Sequence, residues 1–132
     1  MAIASHIIAI VEDESSVLKA LQRLLSARSW VSKTFLSGSQ FLASLDAELP
    51  GCLILDLQMP EMSGLEVQKT LVSRGIEIPT IIITSNTDAE MRERCMAAGA
   101  VAYLLKPVRR QDLFNAIDAA RAASRHYGPV RG

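Results

Sequence analysis

The chain has no excess charge of either sign: among its 132 residues, fourteen Lys and Arg offset fourteen Asp and Glu. Without a one-signed field there is no general attraction to nucleic acid or an anionic membrane, so direct DNA binding by this domain is not expected. Cysteine is scarce. Cys52 and Cys95 stand far apart in apolar surroundings, which makes no metal-binding pair and fits two free, buried thiols in a reducing compartment. Long hydrophobic runs are missing too; none approaches the roughly 18 residues that a membrane helix requires. The first apolar stretch has no basic leader and is cut short by Glu12-Asp13-Glu14. A signal peptide is therefore not expected, and the cytoplasm is the expected location. No G-x-G-x-x-G occurs, so a glycine-rich phosphate loop is excluded.

What is present is ordinary globular composition, 49% hydrophobic and 21% charged, in a length that suits one domain with a substantial core. Strand-like and helix-like runs alternate without a linker or repeat. Short apolar runs at Ile7–Val11, Cys52–Leu55, Thr80–Ile83 and Val101–Leu105, with a weaker strand at about Val31–Phe35, predict five strands. Helical spacing recurs between them. Leu18, Leu21 and Leu25 mark the first helix, with Ser15 or Ser16 expected to cap it. Phe41, Leu42 and Leu45 mark the second, and Leu65, Gln68 and Leu71 the third, which Gly75 should end. Met91, Cys95 and Ala98 line the fourth, closed by Gly99. Leu113, Phe114 and Ile117 define the last, with a cap expected near Gln111-Asp112. This alternation implies an α/β fold, a parallel sheet covered on both faces, with right-handed crossovers. The expected organisation is one domain over 1–124 and a short basic tail over 125–132.

In such sheets, ligands bind beyond the carboxyl ends of the strands. Four strands end there in polar residues: Glu12-Asp13-Glu14 after the first, Asp56 after the third, Thr84-Ser85-Asn86 after the fourth, and Lys106-Pro107 after the fifth. If the first and third strands are neighbours, about 4.8 Å apart, Asp13 and Asp56 repel unless they share a proton or take a cation. Glu12 adds a third acid, and an all-oxygen donor set suits Mg²⁺ beside phosphate. A carboxylate such as Asp56 can attack a phosphoryl group and hold it as an acyl phosphate. Lys106 and Thr84 would then serve the transferred oxygens. Each residue alone has a duller reading: a solvated acidic loop, a strand-end cap, a turn threonine, a surface lysine. Their conjunction at one rim favours a site.

By these residues the chain resembles the receiver domain of bacterial two-component response regulators, over about His6–Ala123. The resemblance implies a flavodoxin-like (βα)5 three-layer sandwich with strand order 2-1-3-4-5. It implies that Asp56 is the phosphoacceptor, and that Glu12 and Asp13 bind Mg²⁺, Asp13 directly and Glu12 through water. The backbone carbonyl of Gln58 would be a further metal ligand. Thr84 matches the switch hydroxyl, Tyr103 the aromatic that turns inward on activation, and Lys106 the family's lysine, joined to Pro107 by a cis bond. Pro60 and Gly64 match the loop after the phosphoacceptor. Gln58 and Asn86 occupy the variable places that tune how long the acyl phosphate lasts.

The implied partners are a sensor histidine kinase or histidine phosphotransfer protein. A downstream protein or a second copy is expected to bind through the fourth helix, fifth strand and fifth helix. Two departures are visible: Glu-Asp replaces the commoner Asp-Asp pair, and Ser29-Trp30 stands where Gly often ends the first helix; an output domain is not expected to follow. Pro50–Asp56 and Met96–Ala100 look most like receivers that precede a helix-turn-helix domain. Two arrangements fit, a stand-alone receiver, which is the one expected here, or the receiver part of a longer regulator. Other functional classes remain open. An aspartate-nucleophile phosphohydrolase would carry a second acid where Gln58 stands. A flavin or nucleotide carrier would need phosphate donors where Glu12-Asp13-Glu14 lies. A pseudo-receiver would keep only the docking surface.

Overall fold

Four apolar runs and a more polar edge strand pair side by side because each is too short to be stable alone. A computed structural model describes residues 6–127, with side chains through 122. The elements alternate throughout: β1 Ile8–Val11, α1 Ser15–Ala27, β2 Ser32–Phe35, α2 Gly38–Ser44, β3 Cys52–Asp56, α3 Gly64–Ser73, β4 Thr80–Thr84, α4 Ala89–Ala97, β5 Ala100–Leu105 and α5 Arg110–Tyr127. All pairings are parallel, in the order β2-β1-β3-β4-β5. This is the flavodoxin-like order that the resemblance implies.

Strand periodicity splits the core into two layers. Ala9, Val11, Leu53, Leu55 and Ile82 face α2, α3 and α4, where Phe41, Val67 and Leu71 meet them. Ile8, Ile10, Ile54, Ile81 and Ile83 face α1 and α5, meeting Leu21, Leu25, Leu113 and Ile117. β3 and β4 are buried along their whole length. On β5 the register skips Val101 between the pairs Thr80–Ala100 and Ile81–Ala102, and this bulged residue is left 40% exposed.

The local structure differs from expectation at three places. The first helix starts at Ser15 with Glu14 as N-cap and no side-chain cap. Ser15 and Ser16 lie inside its first turn and so cannot cap it; the Glu14 N–H is taken instead by Glu12 Oε2 at 3.1 Å. The last helix begins at Arg110, before the expected Gln111-Asp112, with Asp112 in its first turn, where a carboxylate favours the helix dipole. α5 also runs to Tyr127, past the expected boundary at 124, as a sequence with no Gly or Pro until Gly128-Pro129 allows. The rest of the tail, 128–132, lies outside the described residues. Gly75 ends α3 at φ +69° as expected, and Ser29 takes φ +59° at the end of α1. Trp30 N–H reaches back to Leu25 O, so Ser29 fills the left-handed position of a Schellman turn in place of Gly. No helix among the described residues is long and apolar enough to cross a membrane.

Candidate functional site

Parallel register brings the carboxylates together. Val11 pairs with Leu55, so one position further on Glu12 and Asp56 lie side by side on the same face of the sheet. Both are buried, at 0% and 2% exposure, in a rim where ionised groups are costly without partners. The partner arrives from β5. Lys106 Nζ lies 2.8 Å from Glu12 Oε1 and 3.3 Å from Asp56 Oδ1. Lys106 is itself placed by the neighbouring strand, its N–H donating to Thr84 O at 2.8 Å, and its bond to Pro107 is cis, as the resemblance implied.

One ammonium cannot neutralise two carboxylates. Burial pushes the Asp56 carboxyl up and the Glu12 charge adds to this, while Lys106 pulls it back; the result is about 7. Burial lowers Lys106, but the carboxylates of Glu12 and Asp56 outweigh this and hold the ammonium above its ordinary value. Asp13 is exposed on the following loop, yet oxygens of Glu12, Asp13 and Asp56 all lie within 4.8 Å of one another. Glu12 Oε1 is buried, in ion contact with Lys106 Nζ at 2.8 Å. Three hard carboxylate donors this close together, with a single ammonium against them, fit a divalent cation of the Mg²⁺ type.

The loop after Asp56 is fixed by close packing. Gly64 N–H donates to Leu57 O at 2.8 Å, and a Cβ on Gly64 would sit 2.6 Å from Asp56 O. Only glycine lets the start of α3 approach the backbone beside Asp56 so closely. Ser63 and Glu66 cap that helix reciprocally, each side chain bonded to the other's backbone N–H. A groove of about 670 Å³ opens beside the site, bordered by Asp13, Gln58, Asn86, Met91 and Arg94 among others.

Thr84 is fully buried, with its Oγ1 accepting from Asn86 N at 3.0 Å. That bond leaves the hydroxyl hydrogen available to another acceptor. Asn86 O in turn accepts from the Tyr103 hydroxyl at 2.9 Å. Thr84 and Tyr103, expected to act together, are thus linked through one residue of the β4–α4 loop. Sequence reasoning missed two contacts: the Glu12–Lys106 pair, and a bond from Gln68 Nε2 to Cys95 O at 3.0 Å. Neither has a local signal, since each joins elements far apart in the chain.

The model of the response regulator receiver domain matches residues 8–118. The chain belongs to this family. It is 41% identical over 116 residues to the response regulator protein TodT of Pseudomonas putida, covering 88% of this chain and 51% of that protein. It is 38% identical over 111 residues to the transcriptional regulatory protein FixJ of Rhizobium meliloti, covering 84% and 54%. The chain spans about half the length of these relatives. Among solved structures, FixJ-N superposes with a TM-score of 0.83 at 35% identity, covering 91% of this chain and 96% of that one. The receiver fold and strand order are shared with these structures.

Proposed function

We propose that this chain is a phosphorylation switch of a two-component pathway. A histidine kinase or histidine phosphotransfer protein supplies the phosphoryl group. An Asp56 oxygen attacks the phosphorus, the P–N bond to the donor imidazole breaks, and the nitrogen leaves to be protonated, giving an acyl phosphate. The observation that carries this reading is the position of Asp56: buried at a strand end, 3.3 Å from an ammonium and beside two further carboxylates.

The roles of the other residues follow from charge. Once the Asp56 oxygen is bonded to phosphorus, Lys106 can neutralise a phosphoryl oxygen, and the Thr84 hydroxyl can donate to another. Asp13, Asp56, Glu12 and the Gln58 carbonyl would hold Mg²⁺, which when bound supplies positive charge against the phosphoryl oxygens. As Thr84 turns to the phosphoryl group, its bond to Asn86 N–H is strained or remade. The pull passes through Asn86 to Tyr103 and to the start of α4, which supports a population shift of the α4–β5–α5 face. Val101 and Leu105, 40% and 47% exposed on that face, suit docking of a downstream protein or a second copy.

The protein acts in the cytoplasm and catalyses only its own phosphotransfer and dephosphorylation. Gln58 cannot serve as the general acid that a phosphohydrolase would need there, so no turnover of small phosphate esters is expected in a phosphatase assay. Incubation with acetyl phosphate and Mg²⁺, followed by intact mass measurement, tests the switch. One phosphoryl adduct on the wild type and none on Asp56→Asn is expected. No wild-type adduct, or an equal one on the variant, would sink the reading and favour a pseudo-receiver.

A further inference from the structure

α4 is held by less apolar area than its neighbours: of Ala89–Ala97 only Cys95 is fully buried, with Met91 and Met96 partly buried against the core. Its C-terminal end turns away at Gly99, φ +108°, and the Gly99 N–H donates to Met96 O. That choice leaves the carbonyl of Cys95, four residues back, without the helix's own donor. It is met from another helix. Gln68 on α3, 2% exposed, donates Nε2–H to Cys95 O at 3.0 Å. The other half of the amide, Oε1, is buried with no hydrogen-bond partner. A half-satisfied buried amide stabilises less than an apolar side chain of similar volume would. Its contribution is position: it ties α4 to α3 at one defined point.

The opposite end of α4 is tied to the switch residues. Asp88 Oδ1 accepts from Glu90 N, Asn86 Oδ1 accepts from Asp88 N, and Asn86 N bonds Thr84. A helix held at one end by Thr84 and at the other by Gln68 can shift only if one hold yields.

We propose that Gln68 is a positioning residue for the phosphorylation switch, its bond to the Cys95 carbonyl fixing α4 in the arrangement this structure holds. This rests on the switch reading above. Removing the donor lowers the cost of leaving that arrangement and so changes how readily Asp56 is labelled.

The test uses the full chain and Gln68→Met, which keeps the length and volume but has no donor, with Gln68→Leu as a second variant. Amide hydrogen exchange without phosphodonor should show α4 exchanging about tenfold faster while β1, β3 and α5 keep their protection. The rate of labelling by acetyl phosphate with Mg²⁺ should change by about threefold or more. Unchanged α4 exchange, or an even acceleration across all elements, in both variants overturns the proposal. So does a loosened α4 with unchanged labelling. The exchange measurement is repeated on Asp56→Asn carrying Gln68→Met, where it needs no phosphoryl chemistry. No labelling of the wild type would overturn the switch reading and Gln68's role in it, and the exchange result tells that failure apart from failure of the tie itself.

Discussion

α4 and α5 both pack against β5, yet they are attached by different physics. α5 buries Leu113, Phe114, Ala116, Ile117 and Ala120; α4 buries Cys95 alone. Apolar burial is non-directional and holds a helix over a broad area. α4 has less such burial, with Met91 and Met96 only partly covered, and is held in addition by directional bonds at its two ends, from Asp88 and Asn86 at one and Gln68 at the other. Such bonds break and remake between discrete geometries, which is what a two-state element needs. The Thr84 side chain and Tyr103 both lead to Asn86 in the β4–α4 loop, and none of the described hydrogen bonds leads from Thr84 into α5 itself.

The contrast predicts unequal costs of truncation. Ile117→Ala should destabilise the protein by about 2–5 kcal/mol, whereas Cys95→Ala should cost about 1 kcal/mol. Urea melts of the two variants measure this; equal losses would erase the distinction between the helices. Gly64→Ala comes next. Its Cβ would meet Asp56 O at 2.6 Å, so a loss of about 1–3 kcal/mol is expected, together with slower labelling because the backbone beside Asp56 must move. Full labelling at unchanged stability would show that the close approach is not needed.

The third effect depends on pH. Asp56 in the folded protein titrates at about 7 against an ordinary 3.8, so around pH 5 the folded state holds a proton that the unfolded chain has released. Stability from this group is fully present below the unfolded value and is lost as pH rises through the folded one. With chelator present, Asp56→Asn should therefore raise the melting temperature relative to wild type, and more at pH 8 than at pH 5. An equal gain at both would contradict the upward shift of Asp56 that burial and the Glu12 charge produce. The smallest effect is at Ser29, where a left-handed φ of +59° penalises a side chain. Ser29→Gly should gain about 1 kcal/mol in thermal or urea unfolding without changing labelling.

Much of this arrangement is legible in the sequence because periodicity reports burial. The alternation of β-branched runs with helical spacings defines the layers, and parallel topology then sends Glu12, Asp56, Thr84 and Lys106 to one rim. β2 is the weakest strand to read, since Ser32-Lys33-Thr34-Phe35 lies at the sheet edge and is only partly buried. Periodicity does not say which side chain on one element meets which on another. The Lys106–Glu12 pair, the Gln68–Cys95 tie and the start of α1 therefore emerge only from the structure. Gln68 reads as one more position on a helix face, and only its orphaned oxygen and its bond to Cys95 mark it out.

The most direct test of the switch is amide NMR of the wild type before and after addition of acetyl phosphate and Mg²⁺. Large shifts around Asp56, Thr84, Asn86, Tyr103 and along α4 are expected, with the α5 core at Leu113 and Ile117 unmoved and no such pattern in Asp56→Asn. Shifts spread equally over α4 and α5, or the same shifts in Asp56→Asn, would contradict the account.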